Sequence, residues 1–243
     1  MRSSRILTLA ATLTVALVLG APQGATAQED GGQDGRRPGV AVFPFTNGGS
    51  YGENAEDLEA LTVGLQQMLL TELDQNDALR IVERARLKQI LEEQELAEEG
   101  RVDPSTAAEI GRLVGARYMV TGVFVDLYGD FRMDARIIDV ETGEVIQTES
   151  VKGEKQGLYG LLVDLSSQIA EGADLPPLPA EVAQKRKEKE IPPEAVTIYS
   201  QAQVYQDRGR TEQAIELYRR LTQEFPDLTQ AKEALDQLEA GQG

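Results

Sequence analysis

The strongest pattern of hydrophobic and polar positions lies within residues 110–145. Residues 117–125 are almost entirely apolar and rich in β-branched and aromatic side chains, which predicts a central strand buried on both faces. Residues 131–138 alternate between apolar and polar, as expected for a strand with one face more exposed to solvent than the other. A polar turn at 141–144 then leads into a third strand over 145–151. The pattern therefore predicts a three-stranded meander.

Helical periodicity surrounds this meander. Apolar positions three and four residues apart predict three helices, over residues 54–75, 84–99 and 158–170. Asp103 followed by Pro104 predicts the start of another helix, and Gly115 predicts its left-handed end. Short apolar runs predict two further strands, at 40–45 and 79–82. The fold class is therefore α/β, with a small mixed sheet of four to five strands covered by helices over residues 39–173.

The pattern changes beyond residue 173. Residues 174–192 contain a proline-rich stretch and a charge run at 184–190, which predict a linker with a solvated face. Residues 193–240 then predict an all-α helical-repeat module, because small, aromatic and turn residues recur at the spacing of a tetratricopeptide repeat. A single copy is fewer than the roughly three that form a stable stack. It would therefore pack either on a partner's repeats or on its own domain.

Two sets of residues in this module are candidates for specific roles. The predicted repeat-packing residues are Ala202, Tyr205, Ala214, Tyr218 and Pro226. The candidate partner-binding residues are Tyr199, Gln203 and Gln206, which would line the inner face of the first helix. Repeats of this kind usually bind peptides there, but an exposed polar helix surface explains the same residues equally well.

Composition narrows the possible chemistry. The 243 residues include no Cys, His or Trp, which excludes thiol nucleophiles, Ser-His-Asp relays and imidazole or thiolate zinc sites. The 41 acidic residues against 24 basic ones give a net charge of -17, which disfavours nucleic acids and anionic membrane surfaces as partners. We predict a protein that is not an enzyme, with no catalytic, metal or cofactor residues. A hydrolase using carboxylates alone is a third hypothesis, and no motif supports it.

Two acidic or glycine-rich segments allow alternative interpretations. The loop 48–52 precedes a helix and could cradle a phosphate, but the acids that follow it favour a flexible loop and an acid-capped helix. The acidic residues within 92–99 could collect calcium weakly. They lack the spacing of a calcium loop, which favours a solvated acidic face.

The N-terminal residues have the pattern of a signal peptide. Arg2 and Arg5 precede an apolar run over 6–19, and residues 25–27 have the small-x-small form of a cleavage site. We predict a signal peptide at 1–27 and a flexible N-terminus at 28–38. Removal of the two arginines would change the net charge from -17 to -19. The predicted location is the periplasm, or a peripheral position at the outer membrane.

Three segments resemble the CsgG-like family of envelope proteins, which includes the curli secretion channel. They are VAVFPF at 40–45, RLVGARYMVTGVF at 112–124 and RIIDVETGEVI at 136–146. The resemblance covers about residues 38–172, and its most specific blocks are 111–124 and 135–146. It implies a role in the cell envelope and identifies residues 39–173 as a CsgG-like domain.

The chain also departs from that family. The curli channel is anchored through a lipidated cysteine, and this chain has none. It forms its pore from long hairpins, whereas the corresponding positions here, 128–130 and 152–159, are too short for the roughly 9 to 11 residues of a membrane-crossing strand. The expected function is a non-catalytic protein–protein interaction module in envelope assembly or secretion, without an autonomous membrane span. The alternative is a periplasmic ring component of an oligomeric outer-membrane secretion assembly.

Overall fold

The computed structural model describes residues 37–51, 55–93, 102–176 and 178–241. The predicted signal peptide and the end of the predicted helix 84–99 lie outside these residues. The strands are β1 (Gly39–Val42), β2 (Thr46–Asn47), β3 (Arg80–Ile81), β4 (Tyr118–Leu127), β5 (Asp130–Asp139) and β6 (Val145–Glu154). The helices are α1 (Ala55–Asp74), α2 (Arg84–Glu93), α3 (Pro104–Val114), α4 (Leu158–Gly172), α5 (Ala180–Lys187), α6 (Pro193–Asp207), α7 (Thr211–Glu224) and α8 (Thr229–Ala240).

The sheet is mixed, in the order β3-β1-β4-β5-β6, and the predicted meander is confirmed as β4, β5 and β6. β1 runs parallel to β3 and β4, whereas β4, β5 and β6 are antiparallel. The described residues form six strands rather than four to five, because Thr46 and Asn47 pair with β4 as β2. β1 ends before Pro44, which has no N–H to donate to the sheet.

Helices cover both faces of the sheet, as the fold class predicts. Val42 and Val120 belong to a core that also contains residues of α1 and α4, on one face. Ala41 and Met119 belong to a second core with residues of α2 and α3, on the other face. Neighbouring residues of β4 therefore contact opposite cores at Met119 and Val120. Beyond Met119 the second face of β4 is only half-buried, at Thr121, Val123 and Val125, so the predicted burial on both faces holds only for the first part of the strand.

Both predicted caps of α3 are confirmed. The Asp103 carboxylate accepts hydrogen bonds from the amides of Ser105 (2.9 Å) and Thr106 (3.1 Å). The hydroxyls of Ser105 and Thr106, together with these amides, hold the pKa of Asp103 well below its usual range. Gly115 ends the helix with φ 71°, a conformation that glycine adopts without steric cost.

The loop before α1 is ordered by its own hydrogen bonds and does not favour a phosphate. The Asn47 side-chain oxygen accepts from the amides of Gly49 (3.1 Å) and Ser50 (2.9 Å). The amides of Gly48 and Tyr51 donate to carbonyls of β4. Since all four amides of residues 48–51 already have acceptors, they are not available to cradle an anion.

The β4–β5 turn places a tyrosine in an unusual conformation. Tyr128 and Gly129 both have positive φ, 57° and 99°, as a two-residue type I′ hairpin requires. Tyr128 is 85 % exposed, so few contacts compensate its left-handed backbone. Below the turn, Asp126 is buried, pairs with Lys155 at 3.1 Å and accepts the Gly129 amide at 2.8 Å. This network holds the turn in one geometry.

We expect Tyr128→Asn to raise the free energy of unfolding by about 1 kcal/mol, because asparagine tolerates left-handed φ better than an aromatic residue. Chemical denaturation of the full chain measures this change. Tyr51→Asn is the matched control: Tyr51 is also exposed and forms an isolated bridge with Leu127, but it is not among the positive-φ residues. A gain at both positions, or at neither, would contradict the explanation from backbone strain.

Candidate functional site

The C-terminal helices α6 and α7 form a hairpin. The predicted packing residues differ in how deeply they are buried in it. Ala202 and Ala214 are fully buried, and Tyr218 packs edge-on against Tyr199 with ring centroids 5.9 Å apart. Tyr205 is half-buried beneath the Arg210 guanidinium. Small residues and paired aromatic rings thus bring α6 and α7 close together.

The last predicted packing residue lies at the surface. Pro226 is exposed in the turn between α7 and α8. It has no amide hydrogen, so it cannot continue α7. The tetratricopeptide character of this segment stays a prediction.

Of the two packing modes left open by the sequence, the structure contains the second: the hairpin lies on its own α/β domain. At Gly64 of α1, an added Cβ would come within 2.8 Å of the Ser200 Cα of α6. Gln201 donates to Asp57 of α1 at 2.7 Å. α1 thus contacts the sheet on one side and α6 on the other, and the body and the hairpin share one hydrophobic core.

A polar groove of about 500 Å³ lies beside this contact. Residues of α1, α6, α8 and the segment 81–85 line it. All three candidate partner-binding residues belong to its lining, together with Gln67, Thr71, Gln230 and Gln237. Of the three, Tyr199 and Gln203 are buried and Gln206 is half-buried. The structure therefore brings the candidates together, with mainly amide groups around them.

Arg84 organises the centre of the groove. Its guanidinium pairs with Asp207 and donates to the side-chain oxygens of Gln203 (2.8 Å) and Gln67 (3.2 Å). Gln203 in turn donates to the Tyr218 hydroxyl at 2.7 Å. These bonds fix the amide orientation of Gln203, because its oxygen and nitrogen have different partners.

The two buried tyrosines remain neutral. Burial raises the pKa of Tyr199 and of Tyr218 well above the usual range of a phenol. The Tyr218 hydroxyl therefore keeps its proton and donates it to the Gln206 oxygen at 3.1 Å. Neither of these phenols is suited to proton transfer near neutral pH.

Gln230 connects the groove to a buried ion pair. Its amide nitrogen donates to Glu72 Oε1 at 3.3 Å, and the Tyr159 hydroxyl donates to the same oxygen at 2.7 Å. Arg186 of α5 pairs with the Glu72 carboxylate and donates to the Glu72 carbonyl at 3.0 Å. Burial lowers the pKa of Arg186 and raises that of Tyr159. The cluster joins α1, α4, α5 and α8.

This cluster corrects one sequence expectation. The charge run 184–190 was expected to be solvated, but Arg186 within it is only 6 % exposed. The segment 174–192 contains α5, and the contact of that helix with Glu72 removes the Arg186 side chain from water. Composition cannot distinguish one buried arginine from its exposed neighbours, so the local sequence carried no signal for it.

The described part of the chain contains neither a cluster of metal ligands nor a helix suited to span a membrane. No group of three or more acidic residues there has the geometry to hold a metal ion. The acidic run considered for calcium lies largely outside the described residues. Within the same part of the chain, every helix is too short or too polar to cross a bilayer.

Comparison with known families supports the CsgG-like resemblance over part of the chain. The family described as "Curli production assembly/transport component CsgG" matches residues 27–130. The match includes the specific block 111–124 and ends at the first residue of β5, so the block 135–146 lies outside it. No curated protein matches this chain.

Several solved structures are similar at low identity. The LpoB C-terminal domain from Escherichia coli is 20% identical, covering 49% of this chain and 83% of that one, with a TM-score of 0.38. Lipoprotein GNA1162 from Neisseria meningitidis is 18% identical over 54% of this chain and 96% of that one, with a TM-score of 0.40. The PelC dodecamer from Paraburkholderia phytofirmans is 17% identical over 58% and 91%, with a TM-score of 0.34. At these scores they carry no information about the function of this chain.

Proposed function

We propose that this chain is an exported, non-catalytic envelope protein of the CsgG-like family that acts as a protein–protein interaction module in the periplasm. The observation that carries the proposal is the groove, in which Tyr199, Gln203 and Gln206 meet α1 of the α/β domain. The family match over residues 27–130 supports a role in the envelope. The absence of Cys and His supports binding rather than catalysis by thiol or imidazole groups.

The groove suits a polypeptide partner. The exposed amide side chains Gln75 and Gln237 can each donate and accept hydrogen bonds. The half-buried Gln67 and Gln206 already accept from Arg84 and Tyr218, and their amide nitrogens can donate. A peptide backbone offers both kinds of group along its length. The body and the helical hairpin each contribute one wall, so their packing against each other preorganises the site and reduces the entropic cost of binding.

Site-specific photo-crosslinking in cells producing the full chain tests this proposal. We expect crosslinkers at Gln206 and Gln237 to give the same discrete adduct, because both residues line the groove. Gln213 is the control, since it is exposed on α7 and does not line the groove. Adducts that are absent at both groove positions, or equally abundant at Gln213, would contradict the proposal.

The alternative, a ring component of a secretion assembly, is favoured by one feature of the sheet. In the described residues, β6 is an edge strand of ten residues that pairs only with β5. Exposed edges can pair with a strand of another chain. In the same experiment, a crosslinker at the exposed Thr148 of β6 would report such pairing. A ladder of self-adducts there, with none from the groove, would favour the ring.

A further inference from the structure

The described helices leave one part of the sheet surface uncovered. α2 and α3 pack near the start of β4 and the end of β5, where Met119 and Ile138 are buried. Farther along the strands, the side chains on the same face are exposed or half-buried. We call this surface the open face, and its charged residues are Asp130, Arg132, Asp134, Arg136, Lys152 and Glu154. Three are acidic and three basic, so the open face is neutral in a chain of net charge -17. Two copies can therefore meet there with less repulsion than elsewhere.

The charges of the open face alternate in sign along the strands. The register of β5 and β6 forms four rows: Asp130 opposite Glu154, Arg132 opposite Lys152, Asp134 opposite Ser150, and Arg136 opposite Thr148. The rows are therefore negative, positive, negative and positive in turn. Successive rows lie about 7 Å apart, because each is two residues farther along an extended strand.

Pairing within one chain does not explain this pattern. Like charges directly opposite each other destabilise a sheet, and the open face has two such pairs, Asp130 with Glu154 and Arg132 with Lys152. Within the described residues, no ion pair joins β5 to β6, and the one ion pair on the open face links Arg132 to Asp134 at 2.7 Å. Lys152 has no ion pair in that part of the chain. A partner of matching pattern would compensate these charges.

We propose that the open face docks on the open face of a second copy, through a two-fold axis that runs between the two sheets and across their strands. Such an axis reverses the strand direction, so the first row meets the fourth row of the partner and the second row meets the third. Arg132 then lies over Asp134 of the partner subunit, and Asp130 lies over Arg136 of the partner subunit. Each of these contacts joins opposite charges and occurs twice. An axis along the strands would instead place each row on its own copy and bring like charges together.

Apolar residues of β4 favour the same arrangement. Val123 and Val125 are half-buried on the open face, opposite Asp134 and Arg132. The axis places Val125 over Val123 of the partner subunit, at the roughly 10 Å spacing of packed sheets.

The size of the open face sets the expected strength of the dimer. Three strands and four rows cover about 400 Å² per copy, against about 800 Å² per partner in a standard complex. We therefore expect a weak dimer that forms reversibly as the protein concentration rises.

Sedimentation equilibrium of the full chain, with charge reversals at two facing positions, tests the inference. Asp130→Arg places a positive charge over Arg136 of the partner subunit, and Arg136→Asp places a negative charge over Asp130 of the partner subunit. By symmetry, each change converts two attractive contacts into two repulsive ones, so we expect the dimer dissociation constant to rise at least about tenfold in either variant. An unmodified chain that stays monomeric up to about 1 mM would overturn the inference.

A mixture of the two variants separates a contact between copies from an effect within one copy. When one chain carries Asp130→Arg and the other carries Arg136→Asp, both contacts are attractive again. We expect the mixed dimer to form with a dissociation constant within about threefold of that of the unmodified chain. The control pair, Glu212→Arg and Lys232→Asp, makes the same charge changes at exposed positions outside the open face, and should associate like the unmodified chain. No recovery in the mixture, or an equal loss in the control pair, would overturn the inference.

A single introduced cysteine distinguishes face packing from pairing at the edge of β6, because the chain has no cysteine of its own. Ser150 and Gln147 are both exposed on β6, but Ser150 lies on the open face and Gln147 on the opposite face. With a short bismaleimide, we expect Ser150→Cys to give a dimer adduct and Gln147→Cys to give none. Equal adducts at both positions would assign the contact to the strand edge, and adducts at neither would exclude the dimer. Both results would overturn the inference.

This inference is independent of the proposed function, because the charged residues of the open face do not line the groove. Loss of the dimer in the reversal variants should therefore leave the groove crosslinks from Gln206 and Gln237 unchanged. In producing cells, an adduct of Ser150→Cys with a different protein, in place of the self-adduct, would assign the open face to another partner and overturn the second copy as its occupant.

Discussion

Replacing Glu72 with alanine is expected to lower the free energy of unfolding by about 3–5 kcal/mol, the usual cost of removing one partner from a buried ion pair. Glu72 and Arg186 are both buried, at 2 % and 6 % exposure. Without the carboxylate, Arg186 would remain buried with an uncompensated charge. The Tyr159 hydroxyl and the Gln230 amide would also lose their shared acceptor. Chemical denaturation followed by circular dichroism measures the change.

Glu59→Ala is the matched control for this prediction. Glu59 also lies on α1 and pairs with an arginine that follows α6, Arg208, but both side chains are more than half exposed. Solvent screens such a pair, so we expect a loss of no more than about 1 kcal/mol. Comparable losses at the two positions would show that burial does not determine the cost.

A double variant separates the charge from the hydrogen bonds. Glu72→Gln with Arg186→Leu removes both charges and keeps an oxygen that can accept from Tyr159. We expect it to be more stable than Glu72→Ala by at least about 2 kcal/mol, because a buried ion pair replaced by neutral groups is often tolerated. A double variant no more stable than Glu72→Ala would contradict the assignment of the loss to unpaired charge.

Gly64→Ala is expected to destabilise the chain by about 1–3 kcal/mol, although alanine is the better helix former. The added Cβ would lie 1.7 Å from Ser200 Oγ and 2.4 Å from Ser200 Cβ. A change of rotamer cannot relieve the second overlap, nor the 2.8 Å approach to the backbone of Ser200, so α6 must move away from α1. Because α6 forms a wall of the groove, the crosslinks proposed from Gln206 and Gln237 should weaken in the same variant.

Gly160→Ala controls for helix propensity. Gly160 lies inside α4, and an added Cβ would meet no atom within 4 Å. We therefore expect this change to stabilise the chain by up to about 1 kcal/mol. Ser200→Gly should partly restore Gly64→Ala, since it removes the two closest atoms and leaves only the close approach to the backbone of α6. Losses that simply add in the double variant would contradict a direct contact between the two positions.

The sequence alone predicted the helices and the longer strands of the α/β domain, with small errors at the ends that the structure describes; the end of the predicted helix 84–99 lies outside the described residues. The periodicity of residues 110–145 predicted the meander, and Asp103 and Gly115 predicted the limits of α3, because these signals involve neighbours within a few positions. The two-residue strand β2 was missed. Its pairing with Val123 and Phe124 is a tertiary contact. Two residues are too few to show the alternation of apolar and polar positions that predicts a strand.

The candidate site was predicted only in part. Tyr199, Gln203 and Gln206 follow one face of a helix, so local spacing grouped them. The partner of that face was not predictable, because Arg84 and Gln203 are 119 positions apart in the sequence. The segment predicted as a linker also holds Arg186, which the structure pairs with Glu72, 114 positions away.

The physical reason for this division is the range of the forces involved. Helix and strand periodicity, caps and turns depend on local backbone geometry and on the spacing of apolar side chains. The sequence of each short segment therefore determines them. The burial of Arg186, the close approach of Gly64 to Ser200 and the groove between α1, α6 and α8 depend on which helices pack together. That choice is decided by the burial of a shared apolar core and the pairing of buried polar groups, and only the tertiary structure contains it.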